Sequence, residues 1–173
     1  MDPAMSAAAS AALGVTNMRA LGGGGQKLVA LADGPHGATI VKLIELVPPY
    51  AAVVLERARR EVGVLASISH PNVVRLESGL AELGSPPAAV CWMEVYLDGA
   101  HLAARLGHPP GWADAPEMAR QVLAGFTAFH APRVVHRHLR PPHIPVPLSP
   151  PLTALYPPTA PLLPSTPPPP PPP

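Results

Sequence analysis

The distribution of proline limits how much of this chain can form regular structure. Of the 28 prolines in the 173-residue sequence, 17 lie between Pro141 and Pro173. Proline fixes φ and has no amide N–H, so a segment this rich in proline cannot sustain a helix or a central strand. We therefore predict that packed structure ends near residue 146, and that residues 147–173 form a disordered, proline-rich tail.

The rest of the chain has the composition of one globular domain. Hydrophobic residues make up 47% of the sequence, which is enough to bury a single core. The formal net charge of +1 gives no electrostatic basis for binding nucleic acid or an acidic membrane surface. No segment has the roughly 18 consecutive apolar residues of a membrane-spanning helix. The single Cys91 excludes an internal disulfide. We predict a cytoplasmic protein, with the nucleus as the alternative.

The first fourteen residues are rich in alanine and serine but contain no block of large apolar residues. They make a poor signal peptide for that reason. We predict that residues 1–14 are a flexible amino terminus and that the domain spans residues 15–146.

Two strands joined by glycines are predicted at the start of this domain. Residues 15–21 and 27–31 have the β-branched and apolar composition of strands, and residues 22–25 between them are all glycine. Without side chains in the way, the backbone N–H groups of such a turn can approach a phosphate. The alternative is a flexible hairpin turn with no ligand.

A lysine and a glutamate stand on the next two predicted elements. Lys42 lies inside an apolar strand over residues 38–44, where it must either face solvent or meet an anion. Glu61 lies on a predicted helix over residues 51–68, whose apolar residues recur at helical spacing. The alternative for Glu61 is a solvated carboxylate that pairs with Arg57, four residues earlier on the helix.

Two further elements follow in the sequence. Residues 88–97 read as a buried strand. Residues 116–130 read as an amphipathic helix, for which Asp114 is a suitable N-cap and Glu117 the matching residue of a capping box.

These elements, in this order, resemble the amino-terminal part of eukaryotic protein kinases. Gly22, Gly24 and Val29 match the glycine-loop pattern G-x-G-x-x-G-x-V, although Lys27 replaces the third glycine. Residues 39–42 are similar to the kinase run that ends in the ATP-binding lysine. The resemblance implies an α+β fold: an antiparallel sheet plus an αC helix, as in the kinase amino-terminal lobe, followed by an αE-like helix. It also implies ATP binding by Gly22, Gly24, Val29, Lys42 and Glu61.

The resemblance continues into residues 133–146, which are similar to the kinase catalytic loop His-Arg-Asp-Leu-Lys-Pro-x-Asn. His138 stands at the catalytic aspartate position, Arg140 at the lysine position and His143 at the position of the metal-binding asparagine. No Asp or Glu follows Glu117 in the sequence, so we expect this chain neither to hold Mg²⁺ nor to transfer phosphate. The spacing of His136, His138 and His143 matches no closed four-ligand zinc site, and we predict no metal site.

Residues 69–76 and 134–137 most resemble serine/threonine and dual-specificity kinases of the mitogen-activated protein kinase kinase and kinase kinase kinase type. We read the domain as truncated after the catalytic loop.

Three functions remain open at this point. The first is a pseudokinase-like fragment that retains ATP binding, and the second is an active serine/threonine protein kinase. The third is a non-functional product of a disrupted kinase gene, or a proline-rich interaction protein. Expected partners are signalling kinases or a chaperone for the lobe, and SH3-type or profilin-like domains for the tail.

Overall fold

The computed structural model describes residues 2–24, 27–105, 115–130 and 144–147. These residues form four helices and seven strands. In chain order, they are α1 (Pro3–Leu13), β1 (Thr16–Gly24), β2 (Lys27–Gly34), β3 (Gly37–Glu45), α2 (Ala51–Ala66), β4 (Ala81–Leu83), β5 (Ala89–Val95), β6 (Gly99–His101), α3 (Leu102–Arg105), α4 (Ala115–His130) and β7 (Pro145–Pro147).

Five strands form one antiparallel sheet in the order β1-β2-β3-β5-β4. Side chains alternate between the two faces of a strand, and β3 shows this directly. Val41 and Leu43 are fully buried on one face, whereas Lys42 and Ile44 point to the other face. The fold class predicted from sequence, α+β with an antiparallel sheet, is confirmed.

A helix covers each face of this sheet. On one face, Ala9 and Leu13 of α1 join the first core cluster, which also contains residues of β2, β3 and β5. On the other face, Ala58 and Val62 of α2 pack with Trp92 of β5 in the second cluster. Burial of such apolar surface contributes most of the stabilising free energy of folding. The α2 side of the sheet is the face that carries Lys42.

The amino-terminal helix α1 corrects the prediction of a flexible segment over residues 1–14. The Asp2 carboxylate accepts a hydrogen bond from the Ala4 N–H (2.9 Å), and Gly14 ends the helix in the left-handed conformation (φ 66°). Ala9 is fully buried. The alanine-rich composition, which made this segment look unstructured, lets the helix approach the sheet closely, and Leu13 is also buried there.

Strand β7 is a short edge strand inside the proline-rich segment, for which the sequence predicted neither a helix nor a central strand. It pairs with β6, and Leu102 N–H donates to the Ile144 carbonyl (2.8 Å). Antiparallel pairs alternate between hydrogen-bonded and non-hydrogen-bonded positions. Pro145 and Pro147 therefore fall at non-hydrogen-bonded positions, where proline's missing N–H costs no ladder bond. Residues 148–173 lie outside the described residues, so the disordered tail stays a prediction.

Helix α4 lies against the turn that follows α2. A Cβ atom added to Gly125 would come within 2.9 Å of the Asn72 carbonyl oxygen, so glycine permits this close approach. Glu117 accepts hydrogen bonds from Arg120 (2.6 and 2.7 Å) and Gln121 (2.9 Å). The bonds from Arg120, and then from Gln121, lower the pKa of Glu117 to about 2. Its predicted capping partner, Asp114, lies outside the described residues.

Replacing Gly125 by alanine is expected to lower the free energy of unfolding, because the new methyl group meets a backbone carbonyl that cannot move away easily. Gly63 is the matched control, since it also lies inside a helix but has no atom within 4 Å of an added Cβ. Gly63→Ala should raise the free energy of unfolding by about 0.5–1 kcal/mol through helix propensity. Urea denaturation of both variants checks this, and equal stabilisation by the two changes would contradict the docking of α4 on Asn72.

Cys91 lies in the core on β5 and is fully buried. Burial raises the pKa of its thiol from 9.0 to about 11. The thiol therefore stays protonated at neutral pH and serves as a small apolar core residue.

Among the described helices, none has the length and apolar character needed to cross a membrane.

Candidate functional site

A single row of residues crosses the sheet on the α2 side. Gly22 of β1 pairs with Val29 of β2, Val29 pairs with Lys42 of β3, and Lys42 pairs with Trp92 of β5. Directly paired residues in neighbouring strands point to the same face. The strand register thus places three of the predicted ligand-binding residues, Gly22, Val29 and Lys42, side by side.

The next row of the same face is apolar except at one position. Leu31, Ile40 and Glu94 are opposite one another in β2, β3 and β5. The Thr39 hydroxyl donates to the Glu94 carbonyl (3.0 Å) from a fully buried position, which holds the end of β5 against β3. The face therefore offers aliphatic surface beside a charged group, an arrangement that suits a flat ring linked to a polar substituent.

Lys42 faces α2 and forms the predicted contact with Glu61. Its Nζ atom lies 3.5 Å from Glu61 Oε1, and the Glu61 side chain is 41% exposed. A pair this long and this exposed contributes about 0–1 kcal/mol to stability. The contact orients the two side chains more than it stabilises the fold. The alternative partner for Glu61, Arg57, forms no ion pair with it in the described part of the chain.

Glu94 is a second and closer partner of Lys42, and the sequence did not reveal it. Lys42 Nζ lies 2.6 Å from Glu94 Oε1, and the indole N–H of Trp92 donates to the same oxygen (2.9 Å). The Glu94 side chain is only 6% exposed. A carboxylate at this depth needs such donors, since an unpaired buried charge is strongly unfavourable. One signal was available: a lone carboxylate inside the apolar run of residues 89–95 must find a partner.

The charges at this site do not balance. One ammonium, that of Lys42, faces two carboxylates, those of Glu61 and Glu94. Lys42 Nζ also lies 5.7 Å from the centre of the Trp92 ring, within the range of a cation–π interaction.

The remaining predicted residues lie at the border of the described structure or outside it. Gly24 ends β1 and pairs with Lys27, next to the undescribed residues 25 and 26. His138 and Arg140 lie outside the described residues, and so do His136 and His143. Their predicted roles are therefore untested. Within the ranges that the structure covers, no group of three His, Cys, Asp or Glu side chains is placed to hold a metal ion.

Comparison with known proteins shows that the chain is similar to protein kinases. No family model matches the chain. Human calcium/calmodulin-dependent protein kinase type IV is 30% identical over 101 residues, a match that covers 54% of this chain and 20% of that kinase. A putative cyclin-dependent kinase F-2 of Oryza sativa subsp. japonica is 34% identical over 82 residues, covering 43% of this chain and 25% of that protein. The chain therefore spans about a fifth to a quarter of the length of these curated relatives.

A solved structure shows the same fold. The kinase domain of Mycobacterium tuberculosis PknI superposes with a TM-score of 0.60 at 18% identity, covering 75% of this chain and 54% of that domain. The five-stranded sheet, with α2 packed beside Lys42, corresponds to the predicted kinase-like amino-terminal lobe. The described part of the chain therefore has a protein-kinase-like fold.

Proposed function

We propose that this protein-kinase-like domain binds an adenine nucleoside or nucleotide, ATP included, on the face that carries Lys42, and that it does not transfer phosphate. The observation that carries the binding proposal is the position of Lys42. It stands beside Glu61 and in one row with Gly22 and Val29, and these four residues are among those to which the kinase pattern assigns ATP contact. The aliphatic side chains of Val29, Leu31 and Ile40 supply the surface that a purine ring needs.

The proposed absence of phosphate transfer rests on internal substitutions in the sequence. In kinases an aspartate orients the substrate hydroxyl, and an asparagine and a second aspartate hold Mg²⁺. Here histidine occupies the first two of these positions, as His138 and His143. Mg²⁺ prefers oxygen ligands, so neutral imidazole is a poor substitute. An imidazolium would also repel a metal ion.

Thermal denaturation of the 173-residue chain with adenosine, ADP and ATP tests the binding proposal. A ligand present at 100 times its Kd should add about 2.7 kcal/mol to the free energy of unfolding. The change Gly22→Val puts a side chain onto the ligand face, and the added Cβ has no protein atom within 4 Å. It should weaken adenosine binding about tenfold, equivalent to about 1.4 kcal/mol.

Gly79→Val is the matched control for this test, because Gly79 also has no atom within 4 Å of an added Cβ and is not among the predicted ligand-binding residues. If a ligand stabilised the wild-type chain and Gly22→Val equally, the ligand would bind at a site that does not include Gly22. Incubation with labelled Mg-ATP and a generic protein substrate should show no phosphate transfer. Transfer that disappears in His138→Ala would show that the chain is an active kinase.

The subfamily is a further proposal. Residues 69–76 and 134–137 support a kinase of the mitogen-activated protein kinase kinase or kinase kinase kinase type. The curated relatives reported above are kinases of other types. A partner search with the full chain tests this assignment, since the proposal expects members of that cascade among the bound proteins.

A further inference from the structure

The Lys42 ammonium already has a close anionic partner in Glu94. The two charged atoms are 2.6 Å apart, whereas Lys42 and Glu61 are separated by 3.5 Å. Charge-assisted hydrogen bonds at such short distances are about twice as strong as neutral ones. Because the Glu94 side chain is 6% exposed and that of Lys42 is 19% exposed, water screens this pair much less than it screens a surface pair.

Glu94 has little freedom to leave this position. Its Oε1 atom also accepts the Trp92 indole N–H, and Trp92 is fully buried in the α2-side core. Its backbone carbonyl is held by Thr39. The carboxylate is therefore held by Lys42 and Trp92 on a backbone that Thr39 anchors, and a ligand phosphate that approaches Lys42 must enter next to it.

We propose that Glu94 acts as an internal anion that holds Lys42 and makes this site favour adenine ligands with little or no phosphate charge. This inference rests on the proposed adenine binding and adds a ligand preference to it. The ammonium of Lys42 and the carboxylates of Glu61 and Glu94 together carry a net charge of −1. A triphosphate must either displace the Glu94 carboxylate from Lys42 or accept repulsion from it, and adenosine faces neither cost.

Isothermal titration of wild-type chain and Glu94→Gln with ATP and with adenosine, without Mg²⁺, tests this inference. Glutamine keeps an oxygen that can accept the Trp92 N–H but carries no charge. Glu94→Gln should tighten ATP binding about tenfold or more, because removal of a unit charge close to the phosphates acts in a partly buried site. Adenosine affinity should change less than about twofold. Circular dichroism of the variant establishes that it is folded.

Glu56→Gln is the control for net charge, since Glu56 is exposed on α2 and the substitution changes the total charge by the same amount. It should leave both affinities unchanged. Equal ATP affinity in wild type and Glu94→Gln would overturn the inference and leave the proposed adenine site standing. Failure of both proteins to bind either ligand would overturn both proposals.

The wild-type chain provides a second measurement that requires no variant. If the Glu94 carboxylate stays paired with the Lys42 ammonium, the affinity of the chain for the ligand should not rise from adenosine to ADP to ATP in the absence of Mg²⁺. A tenfold tighter binding of ATP than of adenosine would show that Lys42 is available to phosphate, and the inference would then be wrong.

Discussion

Replacing Lys42 by methionine is expected to lower the free energy of unfolding by about 3 kcal/mol, because it leaves a buried carboxylate without its cation. Methionine fills much of the space of the lysine stem, so lost packing contributes little. Glu94 would keep only the Trp92 N–H as a donor among the contacts described. Urea denaturation followed by circular dichroism measures the change.

Two further variants separate the charge effect from other causes. The double variant Lys42→Met/Glu94→Gln removes both charges and should recover stability to within about 1 kcal/mol of wild type. Glu61→Gln removes the distant, exposed partner and should cost no more than about 1 kcal/mol. A double variant as unstable as Lys42→Met alone would show that the Lys42–Glu94 pair does not determine the loss.

Replacing Trp92 by alanine is expected to have the largest effect on stability, a loss of about 3–5 kcal/mol. Among the described residues, Trp92 is the largest fully buried side chain, and it joins β5 to α2 in the second core cluster. Its removal leaves a cavity and also removes a donor from Glu94. This loss is a large fraction of the roughly 5–15 kcal/mol that stabilises a typical domain, so Trp92→Ala should be largely unfolded under mild conditions.

Trp92→Phe separates the two contributions of this side chain. It keeps most of the packing but removes the N–H donor, so we expect a smaller loss of about 1–2 kcal/mol. Leu123→Ala is the surface control, because Leu123 is 64% exposed; it should change stability by less than about 0.5 kcal/mol. Circular dichroism is preferable to fluorescence here, since Trp92 is one of only two tryptophans. If Trp92→Ala lost no more stability than Leu123→Ala, the position of Trp92 in the core would be contradicted.

The elements with regular apolar spacing were predictable from the sequence. The strand around Lys42 and the helices α2 and α4 were predicted to within about two residues at each end, since periodicity is a local property. The approach of Lys42 and Glu61, nineteen residues apart, was expected only because the order of the elements resembles that of kinases.

Features that depend on tertiary contacts were missed. Helix α1 consists mainly of alanine and serine, and its burial depends on the contacts that Ala9 and Leu13 make with residues of the sheet. Asp2, Pro3 and Gly14 were nevertheless recognisable as start and stop signals of a helix. Strand β7 was not predicted because of its proline content, although alternating prolines are compatible with one side of an edge strand.

Glu94 was missed for a different reason. The run of residues 89–95 is apolar apart from this one carboxylate, and spacing alone does not say whether the carboxylate ends the buried part of the strand or lies inside it. Trp92, two residues earlier, is on the same face of the strand and donates to it. A sequence pattern cannot show that Lys42, on a neighbouring strand, would complete the pair.

A crystal structure of the wild-type chain with adenosine tests both the proposed binding site and the Lys42–Glu94 pair. We expect adenosine against Gly22, Val29 and Ile40 on the α2 side of the sheet, with Lys42 Nζ still within about 3 Å of a Glu94 carboxylate oxygen. Adenosine bound elsewhere, or a Lys42 side chain that has left Glu94 and points to solvent, would contradict it.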